Sequence, residues 1–222
     1  MPAPAPAPVG TLPEGFWEGS TNTGRSLFSL VQDNGVYWMF YTGVNQPDSL
    51  SGVIHGSMTS TGTTFSSNNA RDFNLEGPSV LNATISGNYA FRSTFGGTVT
   101  YPILNQSGTF TSTYDADYEL TPNLSAVAGT FSGESAGAEG PATVAVTAAG
   151  AVSGSSGPCS YSGTMAPRPR GNVYNLSVTF AGANCVLAPQ TFSGAAVYNA
   201  QDRALLAVGL DPGRLNGFIF LG

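Results

Sequence analysis

The sequence contains no lysine, one histidine and two cysteines, and only 9% of its 222 residues are charged. Its seven basic residues are all arginines and are scattered along the chain. No basic patch can therefore follow a phosphate backbone, and we expect no nucleic-acid partner. One histidine and two distant cysteines give no metal-ligand spacing, so we predict neither a metal site nor a cofactor.

Long apolar runs are absent too. No stretch approaches the roughly 18 apolar residues that a transmembrane helix requires. Glycine, serine or threonine interrupts every apolar stretch, and helical periodicity is missing. The chain instead has 29 glycines, 15 prolines and short runs of β-branched and aromatic residues. This pattern predicts an all-β fold with an antiparallel barrel or sandwich architecture.

The domain organisation follows from a composition shift and a faint repeat. "MPAPAPAPVG" alternates proline and alanine, which predicts an extended Pro/Ala-rich tether over residues 1–13. "GFWEGST" at 15–21 and "GTFSGES" at 129–135 share glycine, aromatic and serine positions, although chance similarity explains this as well. We therefore expect two small packed β subdomains, an N-terminal one at 14–123 and a C-terminal one at 124–222.

The segment "VQDNGVYWMFYTG" (31–43) is the clearest hairpin signal. Its Asn-Gly pair at 34–35 predicts a two-residue type I′ turn that pairs Val31 with Trp38. A half-buried antiparallel strand should alternate apolar and polar residues, whereas both faces of this hairpin are apolar. The second subdomain is expected to cover the outer face. A second hairpin, around a type II turn at 211–214, is also apolar on both faces.

Five aromatic residues in and near this hairpin are candidates for a partner-binding face, because rigid amphipathic rings are typical of such faces. Packing in the core or between subdomains explains the same residues equally well. The five are Trp17, Tyr37, Trp38, Phe40 and Tyr41.

The two cysteines, Cys159 and Cys185, enclose 25 residues in polar, threonine-rich surroundings. A single structural disulfide in an oxidising compartment fits this pattern. Two free buried thiols are the alternative.

The sequence shows no catalytic constellation. His55 and Ser57 are residue types that a hydrolase triad uses, but the sequence around them does not predict the strand-turn-helix frame that such a triad needs. Three carboxylates, Asp115, Asp117 and Glu119, follow each other at period two on a strand predicted at 108–119. They predict a solvated strand face, with a calcium site as the alternative.

A glycosidase pair formed by Glu134 and Glu139 has little support. These two residues lie on a loop rich in glycine and alanine, where spacing fixes no carboxyl separation. We therefore predict no catalytic residue and no enzymatic activity.

Four stretches carry a resemblance to a known family: "GFWEGST", "YDADYELTPNLSAVAGTFSG", "NVYNLSVTFAGANCVLAPQTFSGAAVY" and the terminal "GFIFLG". Over most of residues 15–222 the chain resembles uncharacterised bacterial cell-envelope lipoproteins. The resemblance implies export, an all-β body and attachment to a membrane only through a lipid anchor on a cysteine that is missing from this chain. It implies no enzyme activity, cofactor or catalytic residue.

These observations favour a non-enzymatic, exported envelope or surface protein that binds a protein or other macromolecular partner. The alternative is a lipocalin-like carrier, since an eight-stranded barrel has room for one small apolar ligand. A transmembrane β-barrel fits less well, because many predicted strands are short and their outward positions are mostly serine and threonine. The sequence does not indicate the oligomeric state.

Overall fold

A computed structural model describes residues 12–77, 80–138 and 140–222. The chain divides into two compact units, Met1–Tyr118 and Glu119–Gly222, whereas the sequence predicts this division after residue 123. Each unit is a closed antiparallel barrel of eight strands, which confirms the predicted all-β barrel architecture of two subdomains. Most of the predicted tether, residues 1–11, lies outside the described residues.

The first barrel is an up-and-down ring in which sequential strands pair with each other. The last strand, β9, returns to pair with β1, while β4 pairs with β6 and the short β5 forms a hairpin beside β6. Its strands are β1 (Gly15–Thr21), β2 (Ser26–Val31), β3 (Val36–Gly43), β4 (Gln46–Ser57), β5 (Thr59–Thr61), β6 (Thr64–Asn74), β7 (Val80–Ala90), β8 (Thr94–Tyr101) and β9 (Gln106–Asp115).

The second barrel has the same up-and-down order, and its last strand pairs with its first. A one-turn helix, α1 (Leu124–Val127), precedes it, with Asn123 as the N-cap. Its strands are β10 (Gly129–Ala136), β11 (Pro141–Val146), β12 (Ala151–Ser156), β13 (Cys159–Pro167), β14 (Tyr174–Ala181), β15 (Thr191–Asn199), β16 (Ala204–Leu210) and β17 (Gly217–Leu221).

The turn between β2 and β3 forms at the predicted place but has a different type. Gln32 N–H donates to the carbonyl of Val36, and Gly35 N–H donates to the carbonyl of Gln32, so the loop has three residues, 33–35. Among them only Gly35 has a positive φ, at 81°. Asn34 instead accepts a hydrogen bond from Val36 N–H through its side chain. The predicted type I′ turn is therefore wrong, and the geometry is a tight turn followed by a left-handed glycine.

The extra loop residue shifts the register of the hairpin by one. Val31 faces Tyr37 rather than Trp38, and Leu30 faces Trp38. A one-residue shift changes which side chains share a face, so Val31 and Tyr37 point into the barrel and Leu30 and Trp38 point outward. Both faces are nonetheless apolar and buried, with Tyr37 0% and Trp38 2% exposed. That the second subdomain covers the outward face stays a prediction.

The turn at 211–214 shows the same deviation. A type II turn needs a positive φ at Gly213, its third residue. The positive φ is found at Arg214 instead, at 54°. Arg214 N–H donates to the carbonyl of Asp211, so this turn also ends on a left-handed residue and the predicted type is wrong.

Candidate ligand-binding site

The interior of the first barrel is filled at one end and open at the other. At the filled end Phe95 packs against Trp17, Phe65 and Phe110, with ring centroids 4.7 to 5.3 Å apart. Beyond these rings a cavity of about 290 Å³ extends to the opposite end of the barrel. This volume is close to the lower limit of about 300 Å³ for small-molecule sites.

Short side chains form part of the wall of this volume. Strands β1 and β9 contribute Thr21, Gly108 and Thr109, although β9 also contributes the ring of Phe110, and β3 contributes the longer Met39. Interior positions of a small eight-stranded barrel are just filled by side chains, so the short ones leave room at this end.

A much smaller cavity lies inside the second barrel. Its volume is about 30 Å³, about the room that one water molecule needs. The rings of Phe180, Phe192 and Phe218 contact each other there at centroid distances of 5.3 to 5.9 Å. The second barrel therefore has a packed core, and the candidate site lies in the first barrel.

A buried carboxylate forms part of the cavity wall. Asp72 on β6 is 3% exposed and lines the cavity. Tyr41 on β3 donates its hydroxyl to Asp72 Oδ1 at 2.7 Å, and Tyr101 on β8 donates its hydroxyl to Oδ2 at 2.7 Å. Three strands distant in sequence thus bring one acidic and two phenolic groups together.

An ion pair lies beside this group at the open end. Arg25, just before β2, donates from Nη2 to Glu76 Oε2 at 2.7 Å and from Nη1 to the carbonyl of Thr42 at 2.8 Å. Its guanidinium carbon also lies 5.4 Å from the centre of the Tyr41 ring. Arg25 and Glu76 neutralise each other, so Asp72 supplies the excess charge of the cluster when it is ionised.

The environment of these groups shifts their pKa values in different directions. Burial raises the pKa of Asp72 above its ordinary 3.8, because loss of water penalises the charged form, and the hydrogen bonds from Tyr101 and Tyr41 offset only part of this effect. Burial, followed by the charge of Asp72, raises the pKa values of both tyrosines. The hydrogen bond from Arg25 lowers the pKa of Glu76. Both phenols therefore stay protonated donors at neutral pH.

Apolar side chains form the deeper wall and the tips of the surrounding loops. Leu27 and Val99 face the cavity together with the longer side chains of β3 and β4. Val44, Leu75 and Ile103 lie on three loops at the open end and are exposed, Ile103 by 82%. A ligand with an apolar part would thus meet apolar groups both at the entrance and inside.

The five aromatic residues predicted as a binding face are all buried. Trp17 and Tyr37 point into the first barrel, while Trp38 and Phe40 point outward. Of the five, Tyr41 lines the cavity. Their role in binding a partner stays a prediction, and the contacts described above give four of them a packing role.

Sequence reasoning missed Arg25, Asp72, Glu76 and Tyr101. The available signal for Asp72 was an acidic residue two positions after Ala70, on the same buried side of the mostly polar strand β6. An irregularity in β6 between Ser67 and Ala70 breaks the alternation just before it, and this hid the signal. No local pattern connects the other three residues, because the barrel ring alone brings them together.

The other predicted features have clear positions. Cys159 and Cys185 form the predicted disulfide, which ties the start of β13 to the loop after β14. The ring of His55 packs on Trp38 with centroids 4.1 Å apart, and Ser57 Oγ accepts a hydrogen bond from Asn69.

The three predicted strand carboxylates do not share a strand face. Strand β9 ends at Asp115, and Ala116–Glu119 form a 3₁₀ turn in which Asp117 N–H donates to the Asp115 side chain. The prediction of a continuous strand to 119 is therefore wrong, because the chain leaves the sheet in a 3₁₀ turn that packs the buried Tyr118 ring against Phe16, with centroids 5.2 Å apart. Glu139, of the glycosidase pair, lies outside the described residues.

Over the described ranges, no group of three or more histidine, cysteine, aspartate or glutamate side chains is placed to hold a metal ion. None of the described helices has the length and apolar character needed to span a membrane. No protein-family model, curated protein or solved structure matches the chain.

Proposed function

We propose that the first barrel is a non-enzymatic binding module that holds one small molecule at the open end of its interior. The observation that carries this proposal is the 290 Å³ cavity with a buried, doubly hydrogen-bonded carboxylate in its wall. Sites for small molecules combine apolar walls with a few polar groups that fix orientation. The cavity has both, and this supports the carrier alternative from the sequence.

Native mass spectrometry of protein purified without detergent tests this proposal. We expect a retained non-covalent mass on the wild-type chain and its loss in Val99→Phe, because the larger ring occupies the cavity that Val99 lines. Thr111→Phe is the matched control, since Thr111 is exposed on β9 beside Phe110. Wild-type protein with no retained mass, and no stabilisation by any member of a small-molecule panel, would contradict the proposal.

A macromolecular partner is the second candidate, and the exposed apolar loop tips favour it. A partner that docks there would bury the exposed apolar side chains of Val44, Leu75 and Ile103 and remove them from water. A photo-crosslinker at position 103 should then capture one defined envelope component in cells of the source organism, while the same group at position 111 should not. Equal labelling from both positions would contradict this candidate.

Export to the cell envelope is part of the same proposal. The disulfide between Cys159 and Cys185 supports it, because such bonds persist in oxidising compartments. Cell fractionation followed by detection with an antibody tests the location, and protein found in the cytosol with reduced cysteines would contradict it.

A further inference from the structure

We infer that the ligand of the first barrel is an amphipathic amine, whose ammonium group binds at Asp72 and whose hydrocarbon part lies against the apolar wall. This inference rests on the proposed function, because it assigns a chemical class to the molecule in the same cavity.

The first argument is charge. Glu76 has a cation of its own, Arg25, at 2.7 Å. Asp72 accepts hydrogen bonds only from two neutral hydroxyls of the described part of the chain. A carboxylate offers about four acceptor positions, so two remain for a donor that brings positive charge. The charge of Arg25 acts on Asp72 without a hydrogen bond and is shared with Glu76. A buried carboxylate without a cation in direct contact is costly, and an incoming ammonium group relieves that cost.

The second argument is the aromatic environment of the carboxylate. Tyr41 and Tyr101 both lie against Asp72, and the Tyr41 ring already accepts a cation, the Arg25 guanidinium, on its face. Aromatic faces attract ammonium groups within about 6 Å. Anionic head groups would instead meet two carboxylates, Asp72 and Glu76, with one arginine that is already paired.

The third argument is size. An apolar cavity of about 150 Å³ holds one benzene ring, and this one has about 290 Å³. A molecule of roughly ten to fifteen non-hydrogen atoms fits by the same measure. Leu27, Met39 and Val99 line the space and would contact its hydrocarbon part.

Three probes with one hydrocarbon chain and different head groups test this class directly: octylamine, octanol and octanoate. By isothermal titration calorimetry we expect octylamine to bind at least about tenfold tighter than the other two, as one charge-assisted hydrogen bond implies. In Asp72→Asn this preference should disappear while octanol binding is retained. Val99→Phe should weaken all three.

The wild-type protein gives a second readout if Asp72→Asn fails to fold. The charged and titratable groups facing Asp72 are Arg25, Glu76, Tyr41 and Tyr101. Burial raises the pKa of Asp72, that of Glu76 is lowered, and both tyrosines and the arginine have raised values, so Asp72 is the last carboxylate of this cluster to ionise as pH rises. The preference for octylamine should therefore increase as pH rises through the raised pKa of Asp72.

The outcomes separate the two proposals. Tighter binding of octanoate or octanol, or an octylamine preference that persists in Asp72→Asn, overturns the amine inference and leaves a binding cavity. Failure of octylamine to bind also overturns the amine inference, whereas the proposed function itself is overturned only by wild-type protein with no retained mass and no stabilisation by the small-molecule panel.

Discussion

At the scale of single residues, Asp72 is a buried carboxylate that destabilises the fold when it is ionised and that is able to bind a ligand in the cavity. Its carboxylate lies inside a barrel wall, where ionisation is penalised by burial. The hydroxyls of Tyr41 and Tyr101 hold it in one orientation. Groups that are costly to bury persist where they are useful, and for this reason such residues are candidates for binding sites.

This burial predicts how stability depends on pH. The pKa of the Asp72 carboxyl is higher in the folded state than in the unfolded chain. Its contribution to the free energy of unfolding is therefore complete below about pH 4 and is lost as pH rises through the raised pKa. Asp72→Asn should remove this loss. Between about pH 4 and pH 7, wild type should therefore lose unfolding free energy relative to the variant. Urea denaturation at several pH values measures the difference.

Glu76→Gln is the control for this experiment because its sign is opposite. The pKa of Glu76 is lowered by Arg25, so its contribution is present above its ordinary 4.5 and is lost as pH falls through the lowered value. Parallel curves for wild type and Asp72→Asn would contradict the role given to burial.

At the scale of elements, the faint repeat has a structural counterpart at the seam of each barrel. Gly19 of β1 lies directly against the backbone of β9, and Gly133 of β10 lies directly against the end of β17. A Cβ atom at either position would overlap the backbone of the closing strand. Equivalent glycines of "GFWEGST" and "GTFSGES" thus allow the first and last strands to approach, as Gly154 and Gly163 do between other strands of the second barrel.

Gly133→Ala should therefore destabilise the second barrel by about 1 to 3 kcal/mol, the usual cost of overpacking. Gly129→Ala is the matched control in the same strand, because an added Cβ there meets no atom within 4 Å. We expect its effect to stay within about 0.5 kcal/mol. Chemical denaturation followed by circular dichroism measures the free energy of unfolding of both variants. Equal losses would show that the close approach at Gly133 does not determine the stability of this barrel.

The hairpins show how far local signals extend. The Asn-Gly pair identified the reversal correctly, yet the loop has three residues rather than two, and the positive φ is confined to Gly35. Gly24 and Gly150 end three-residue loops of the same kind. Turn residues therefore locate a reversal, whereas register also depends on which neighbouring strands the hairpin must join.

At the scale of the whole molecule, composition was sufficient for the fold class and insufficient for the site. Short β-branched runs and frequent turn residues predict an all-β barrel or sandwich without reference to any partner residue. The cavity depends on Arg25, Asp72 and Tyr101 meeting across the ring. These residues come together only because the strands close into a ring, so no single stretch of sequence predicts their contact.

The disulfide permits a test of how independent the two units are. Both tryptophans, Trp17 and Trp38, lie in the first unit. Trp17 points into the barrel, so in a Trp38→Phe background its fluorescence reports on that unit alone. Replacing both Cys159 and Cys185 with serine should lower the unfolding free energy of the second unit by about 3 kcal/mol. Circular dichroism should detect that loss while the tryptophan transition stays in place.

A tryptophan transition that shifts together with the circular dichroism signal would show that the two units unfold as one. Dithiothreitol provides the control, since it should destabilise wild type and leave the double serine variant unchanged.

Closure of each ring by its own first and last strand has a consequence for biosynthesis. When Asp115 has left the ribosome, every strand that pairs within the first barrel is available. That barrel is then able to form its complete set of interstrand hydrogen bonds while the second half is still being translated. Slow or interrupted synthesis after Tyr118 would thus release a finished ring rather than an open sheet edge prone to aggregation.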